Sequence, residues 1–187
     1  NDVVRVEHRT QVFGWNGDDV LAVGDRSLVN GGNGDDRLFA GATSRAVGGA
    51  GNDRITGTGV GVTALGGAGD DTIGSTLRIV AAGGAGRDTL HSAAAGSVLD
   101  GGDGDDLLRG GIGADRFVFA AGHDRIRNFD RSADVIDLSG FAGLDRWADV
   151  SARLTQSGNH TLFQMNGHSL VIEWTRASTL DHTDFVW

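Results

Sequence analysis

Residues 31–36 read Gly31, Gly32, Asn33, Gly34, Asp35, Asp36, and this six-residue pattern recurs along the first two thirds of the chain. It returns as Gly48, Gly49, Ala50, Gly51, Asn52, Asp53, and again as Gly66, Gly67, Ala68, Gly69, Asp70, Asp71. Two further copies are Gly83, Gly84, Ala85, Gly86, Arg87, Asp88 and Gly101, Gly102, Asp103, Gly104, Asp105, Asp106. A variant with Trp15 in the second place and Asp18 and Asp19 in the last two opens the series, and residues 110–115 close it. The final aspartates are spaced 17, 17, 18, 17, 18 and 9 residues apart. A fixed period sustained this long specifies a solenoid, in which each repeat buries its apolar face only by stacking on its neighbours.

Two places past each aspartate stands an apolar residue: Val4, Leu21, Leu38, Ile55, Ile73, Leu90, Leu108 and Phe117. An offset of two directs all of them to one face of short strands. Stacked, they form one apolar ladder inside the solenoid. The half-period segments are expected to make a turn and a return strand, with Val29, Ala46, Ala64, Ala81 and Leu99 pointing inward. Only the edge that carries the motif then collects aspartates, until the copy at 110–115 places one on the second edge. The expected fold is all-β, a parallel β-solenoid over residues 1–119, followed by a capping region over residues 120–187. Asn1-Asp2 match the last two positions of a copy, so the chain is expected to begin inside a repeat, as a piece of a longer protein.

Glycine supplies 32 of 187 residues and proline none, and the glycines keep register with the aspartates, unlike those of a flexible linker. The formal net charge is −9, which points to cations as partners and away from nucleic acid, whose binders are basic. No apolar run is long enough to span a membrane. Aspartates stacked on aspartates repel unless a counter-ion lies between them. Calcium suits this arrangement because it accepts six to eight oxygen ligands from carboxylates and carbonyls in flexible geometry. Without cysteine or a histidine cluster, zinc and copper are disfavoured.

The loops with their apolar residue resemble GGxGxDxUx, the calcium-binding nonapeptide of RTX (repeats-in-toxin) proteins, a pattern that carries its calcium reading with it. The resemblance implies a right-handed parallel β-roll with Ca²⁺ between consecutive same-side loops. It implies that loop positions one, three and five serve one ion and positions two, four and six its neighbour. The six complete same-side loops leave about five gaps, hence about five ions. Arg87 at position five weakens or empties one of them, and Trp15 replaces a glycine of the first loop.

Past residue 119 the sequence resembles the region that follows the roll in serralysin-type proteases and alginate epimerases, which implies a cap on the open end. Asp124, Asp130, Asp134 and Asp137 read equally as ligands of a further ion or as turn carboxylates. Residues 161–165 and 169–174 flank Asn166-Gly167, a strong hairpin signal. The last residues, Asp184, Phe185, Val186 and Trp187, resemble the C-terminal signal read by type I secretion systems, which implies an extracellular protein. A last core strand gives the same pattern.

No catalytic set is expected in this stretch. Gly167-His168-Ser169-Leu170-Val171 lacks the final glycine of a nucleophile elbow and adjoins a hairpin turn. The six histidines are scattered. The four tryptophans are expected in the core or end cap. The leading functional expectation is a calcium-dependent folding and secretion module that supports an upstream domain. The second is a binding or adhesin module, in which Arg26, Arg45 and Arg78 of the half-turns hold an anionic polysaccharide. Ordinary solubilisation accounts for the same arginines.

Overall fold

The computed structural model describes all of residues 1–187. The first turn is β1 (Val3–Val6) and β2 (Gln11–Asn16). The next turns add β3 (Val20–Val23) and β4 (Leu28–Asn33), β5 (Arg37–Ala40) and β6 (Arg45–Ala50), β7 (Arg54–Gly57) and β8 (Val62–Ala68). They continue with β9 (Thr72–Ser75) and β10 (Ile79–Ala85), β11 (Thr89–Ser92) and β12 (Val98–Asp103), β13 (Leu107–Arg109) and β14 (Arg116–Val118). Then come β15 (His123–Arg127), β16 (Val135–Asp137) and a short helix, α1 (Trp147–Ser151). The chain ends with β17 (Leu154–Ser157), β18 (His160–Met165), β19 (His168–Ile172) and β20 (Phe185–Val186).

Odd-numbered strands up to β15 pair in parallel in one sheet, which β19, β18 and β17 complete. Even-numbered strands from β2 to β16, with β20, make the other. Each turn contributes one strand to each sheet, so the chain is a parallel β-roll. Both sheets run unbroken across residue 119, where the repeat motif ends.

The inward residues follow from the two-residue strand periodicity. Leu21, Leu38, Ile55, Ile73, Leu90 and Leu108 stand directly opposite one another in register and are fully buried. Burying each such side chain stabilises by roughly 1.5–3 kcal/mol. The return strands supply Val29, Ala46, Ala64, Ala81 and Leu99, also buried and also in register. Phe117 is a correction. It is buried, but it pairs with Leu99 and Ile136 in the second sheet, because nine residues are half a turn. Ile126 takes its place in the first ladder, opposite Leu108 and Ile172.

The end cap is partly as expected. The hairpin of β18 and β19 forms around Asn166 and Gly167, both with positive φ. Phe119, Phe141 and Phe163 close the open end of the core, with ring centroids 5.2 to 6.2 Å apart. Helix α1 and two 3-10 turns, Ala177–Thr179 and His182–Asp184, flank the hairpin in the cap. Trp147 and Trp187 pack against the core, whereas Trp15 and Trp174 are each 74% exposed, contrary to the expectation for all four. Truncating one rung of the first ladder, Leu38→Ala, is expected to cost about 2–5 kcal/mol in denaturant melts run with calcium in excess. Thr56→Ala on the outer face of the same sheet should stay within about 0.5 kcal/mol.

Candidate metal centre

The motif loops between residues 14 and 106 each link an even strand to the next odd one, so they lie on one edge of the roll. The last aspartate of each loop turns inward and is almost fully buried: Asp19, Asp36, Asp53, Asp71, Asp88 and Asp106. Its Oδ1 accepts the backbone N–H of the corresponding aspartate one turn earlier. Thus Asp19 donates to Asp36, Asp36 to Asp53, Asp53 to Asp71, Asp71 to Asp88 and Asp88 to Asp106, at 2.7–2.8 Å. The Oδ2 atom of every one of these carboxylates is buried without a hydrogen-bond partner. An unpaired buried acceptor carries an uncompensated desolvation cost, larger still if it is charged.

Position five forms a second column that points the other way. Its side-chain oxygen accepts the N–H of position five in the following turn: Asp35 donates to Asp18, Asn52 to Asp35, Asp70 to Asn52 and Arg87 to Asp70, at 2.7–3.0 Å. Each gap between turns is therefore faced by position five from one side and position six from the other. The facing pairs are Asp18 with Asp36, Asp35 with Asp53, Asn52 with Asp71, and Asp70 with Asp88.

Backbone oxygens reach the same gaps. Gly32 O and Gly34 O point at the next turn so closely that a Cβ on Gly49 or Gly51 would sit 2.0 or 2.3 Å from them. The oxygens of positions two and four thus share a gap with position five of their own turn, a grouping different from strict alternation of odd and even positions. The first glycine is needed for another reason. A Cβ on Gly31 would lie 2.0 Å from Asp36 Oδ2. Trp15 adopts φ +70, so the variant first loop keeps the same backbone course at the cost of a strained residue.

Asp124 extends the inward column by one rung that the motif did not reveal. It is 1% exposed, accepts the Asp106 N–H at 3.0 Å, and leaves Oδ2 unpartnered. Asp105 faces it from the preceding turn. Only an 18-residue spacing from Asp106 and Gly122 at position four marked this rung, because Phe119 and Ala120 hold the two leading glycine positions. The other three tail carboxylates read as possible ligands, Asp130, Asp134 and Asp137, have partners. Asp130 Oδ1 accepts from Ser132, Asp134 accepts from Asp115 and Asp130, and Asp137 pairs with Arg116.

The copy at 110–115 lies on the opposite edge, and both oxygens of Asp115 are satisfied, by Ser97 and Gly111 N–H groups. It has the letters of a site without its unsatisfied oxygen.

Electrostatics follow the geometry. Burial, reinforced by neighbouring carboxylates, pushes Asp53 and Asp106 up to about 6, Asp71 to about 7 and Asp124 to about 8. Asp36 and Asp88 are raised for the same first reason. No three His, Cys, Asp or Glu side chains gather at one point. A cation here would be held by two side chains and several backbone carbonyls, an oxygen set that suits calcium and not zinc.

The half-turn arginines are only partly brought together. Arg26 and Arg45 line an open groove with Arg9, while Arg78 lies in a turn further along, against Gly96. Ser169 sits in strand β19 with its hydroxyl 2.9 Å from His123 Nδ1, and no carboxylate hydrogen-bonds that imidazole.

A family model described as RTX calcium-binding nonapeptide repeat, in four copies, matches residues 26–44, 45–59 and 93–126. No curated protein matches the chain. Among solved structures, the extracellular lipase LipA from Serratia marcescens superposes with a TM-score of 0.60 at 18% identity. The match covers 96% of this chain and 40% of the lipase chain, and it shows a shared fold.

A carboxylate whose folded pKa is raised holds its proton in the folded state where the unfolded chain has lost it. Its contribution is complete below about pH 4 and is lost as pH rises through the folded values of about 6 to 8. In chelator, the melting temperature is therefore expected to rise as pH is lowered from 8 to 5. A melting temperature that falls over this interval would contradict the ion-free burial of the column.

Proposed function

We propose that this chain, which carries RTX calcium-binding nonapeptide repeats in a parallel β-roll, is the calcium-dependent folding module of a protein secreted by the type I route. The observation that carries the reading is the column of unpartnered Oδ2 atoms on one edge, from Asp19 to Asp124. Bound between turns, calcium supplies the positive charge and oxygen coordination that these carboxylates lack. The residues assigned to it are Asp18, Asp35, Asn52, Asp70 and Asp105 from position five, with Asp36, Asp53, Asp71, Asp88 and Asp124 from position six. Carbonyls of the loop glycines and of Asn33, Ala50, Ala68 and Ala85 complete the oxygen set. This gives about five ions. Arg87 opposes Asp106 in the remaining interior gap and removes its second carboxylate.

Metal binding that requires the folded loops adds its free energy to folding. With little calcium the acidic edge opposes folding, which keeps the chain open for export. At extracellular calcium, where such modules work with Kd of about 10⁻⁴–10⁻³ M, the roll closes and gives a rigid platform for an upstream domain. The C-terminus supports the order of events. Phe185 and Val186 pair with Ile136 and Asp137 in β16, and Asp184 is buried against Arg131. A secretion apparatus that reads residues 184–187 must do so before the roll folds.

Calorimetry and far-UV circular dichroism during a Ca²⁺ titration test this reading, with Mg²⁺ as control. A cooperative gain of β signal and about five ions per chain are expected. Asp124→Asn should remove one ion and Arg87→Asp should add one. A spectrum already folded in chelator and unchanged by calcium would refute the folding role.

A further inference from the structure

The outward residues of the odd-numbered strands form a surface unlike the rest of this acidic chain. Arg5, Arg37, Arg54 and Arg109 project from it, and Arg125 and Arg127 stand at its far end. Register places Arg37 beside Arg54, His91 beside Arg109, and Arg109 beside Arg127, with neighbouring strands about 4.8 Å apart. The outward positions between them carry no negative charge: they include Ala22, Phe39, Thr56, Thr72, Thr89 and Leu107.

From β1 to β15, no outward position of this sheet carries a carboxylate. Glu173, just past β19, is the first, and it is held by Arg125 and Arg127 at 2.9 and 3.1 Å. Arg5, Arg37, Arg54 and Arg109 form no salt bridge. His91 stands directly opposite Arg109, and burial with the charges of Arg54 and Arg109 holds it below its ordinary pKa.

We infer that this arginine line is a binding face for a linear acidic polysaccharide running along the axis of the roll, and that calcium loading of the opposite edge switches it on. Guanidinium groups are suited to bidentate recognition of carboxylate and sulfate oxygens. The charges lie in two adjacent rows along the roll axis, Arg37 and Arg54 in one and Arg5 and Arg109 in the other, a layout that fits an extended polymer. A lipid surface would call for apolar anchors, and this face has one exposed aromatic, Phe39, while Phe13 and Trp15 lie on the other sheet.

The switch rests on the calcium reading above. With formal net charge −9, the ion-free chain repels polyanions. About five divalent ions bring the net charge to about +1, and the basic face then dominates the field. Linkage requires the reciprocal effect, tighter calcium binding in the presence of polymer.

The test uses dextran sulfate, a polymer that calcium does not gel, with the full chain in calcium and in chelator. Calorimetric calcium titration runs in parallel. Binding is expected in calcium and should weaken steeply with salt. Arg37→Ser/Arg54→Ser/Arg109→Ser should lower affinity roughly tenfold or more and flatten the salt dependence, with ion count and circular dichroism unchanged. Arg26→Ser/Arg45→Ser/Arg78→Ser should bind within about twofold of the parent, because those side chains lie off this face.

Equal affinity of the parent and the first triple variant overturns the inference, as does an equal loss in the second variant. Binding to phosphatidylglycerol vesicles but not to polymer also overturns it. Polymer binding that is identical in chelator, while calorimetry shows the ions bound, removes the calcium switch. Absence of bound ions in calorimetry is instead the failure of the folding reading, and is seen independently of polymer.

Discussion

The roll is shaped by a conflict on one edge, where carboxylates are stacked and buried one turn apart. Each gives one oxygen to the neighbouring turn and leaves the other without a partner. The backbone N–H that each accepts fixes the register of the turns, so the same group that aligns the solenoid also strains it. Ordinary buried polar groups are satisfied. Repeating the exception on seven successive rungs, Asp19 through Asp124, points to a ligand instead of a local packing compromise.

The second edge shows that the strain is not required by the roll itself. There Ser27, Ser44 and Ser97 hydroxyls accept the N–H groups of the preceding turns, and serine carries no charge. Asp115 and Asp134 continue that line, but each has both oxygens occupied by N–H donors. The two edges perform the same structural task with different residues. Only the first leaves oxygens free, so a roll with both edges built from serine would need no cation. On the proposed reading, the aspartate edge makes folding conditional on what is dissolved outside the chain.

Much of this was legible in the sequence because a 17- or 18-residue period is a geometric statement: it assigns the ladder from Leu21 to Leu108 and the return ladder from Val29 to Leu99, though not Val23, Ala40, Val62 or Ile79, which are buried beside them. The reading failed where identity and geometry part company. Residues 110–115 carry the full motif, but they sit half a turn out of phase, and that shift moves Phe117 into the other sheet. Asp124 has lost both leading glycines yet keeps the phase, and it occupies the column. Phase, and not motif completeness, decides which aspartates meet. The exposure of Trp174 and the short helix at Trp147 depend on how the cap folds over Phe119, which no periodic signal describes.

Phase also explains how charge is sorted around the molecule. In a solenoid every residue type repeated at one phase becomes a stripe. Aspartates at loop positions five and six become an acidic edge, and arginines one and three places past the last aspartate become the basic face. The two stripes are joined by the short odd-numbered strands, with Asp36 beside Arg37 and Asp53 beside Arg54 in sequence. One side chain of each such pair points inward and the next outward, so these neighbours are separated by the sheet and do not neutralise each other. The fold thus keeps apart charges that a disordered chain of the same sequence would mix. The two fields exist together only in the folded state. Whatever favours folding, a cation on one edge or an anion on the other face, therefore also favours binding of the other.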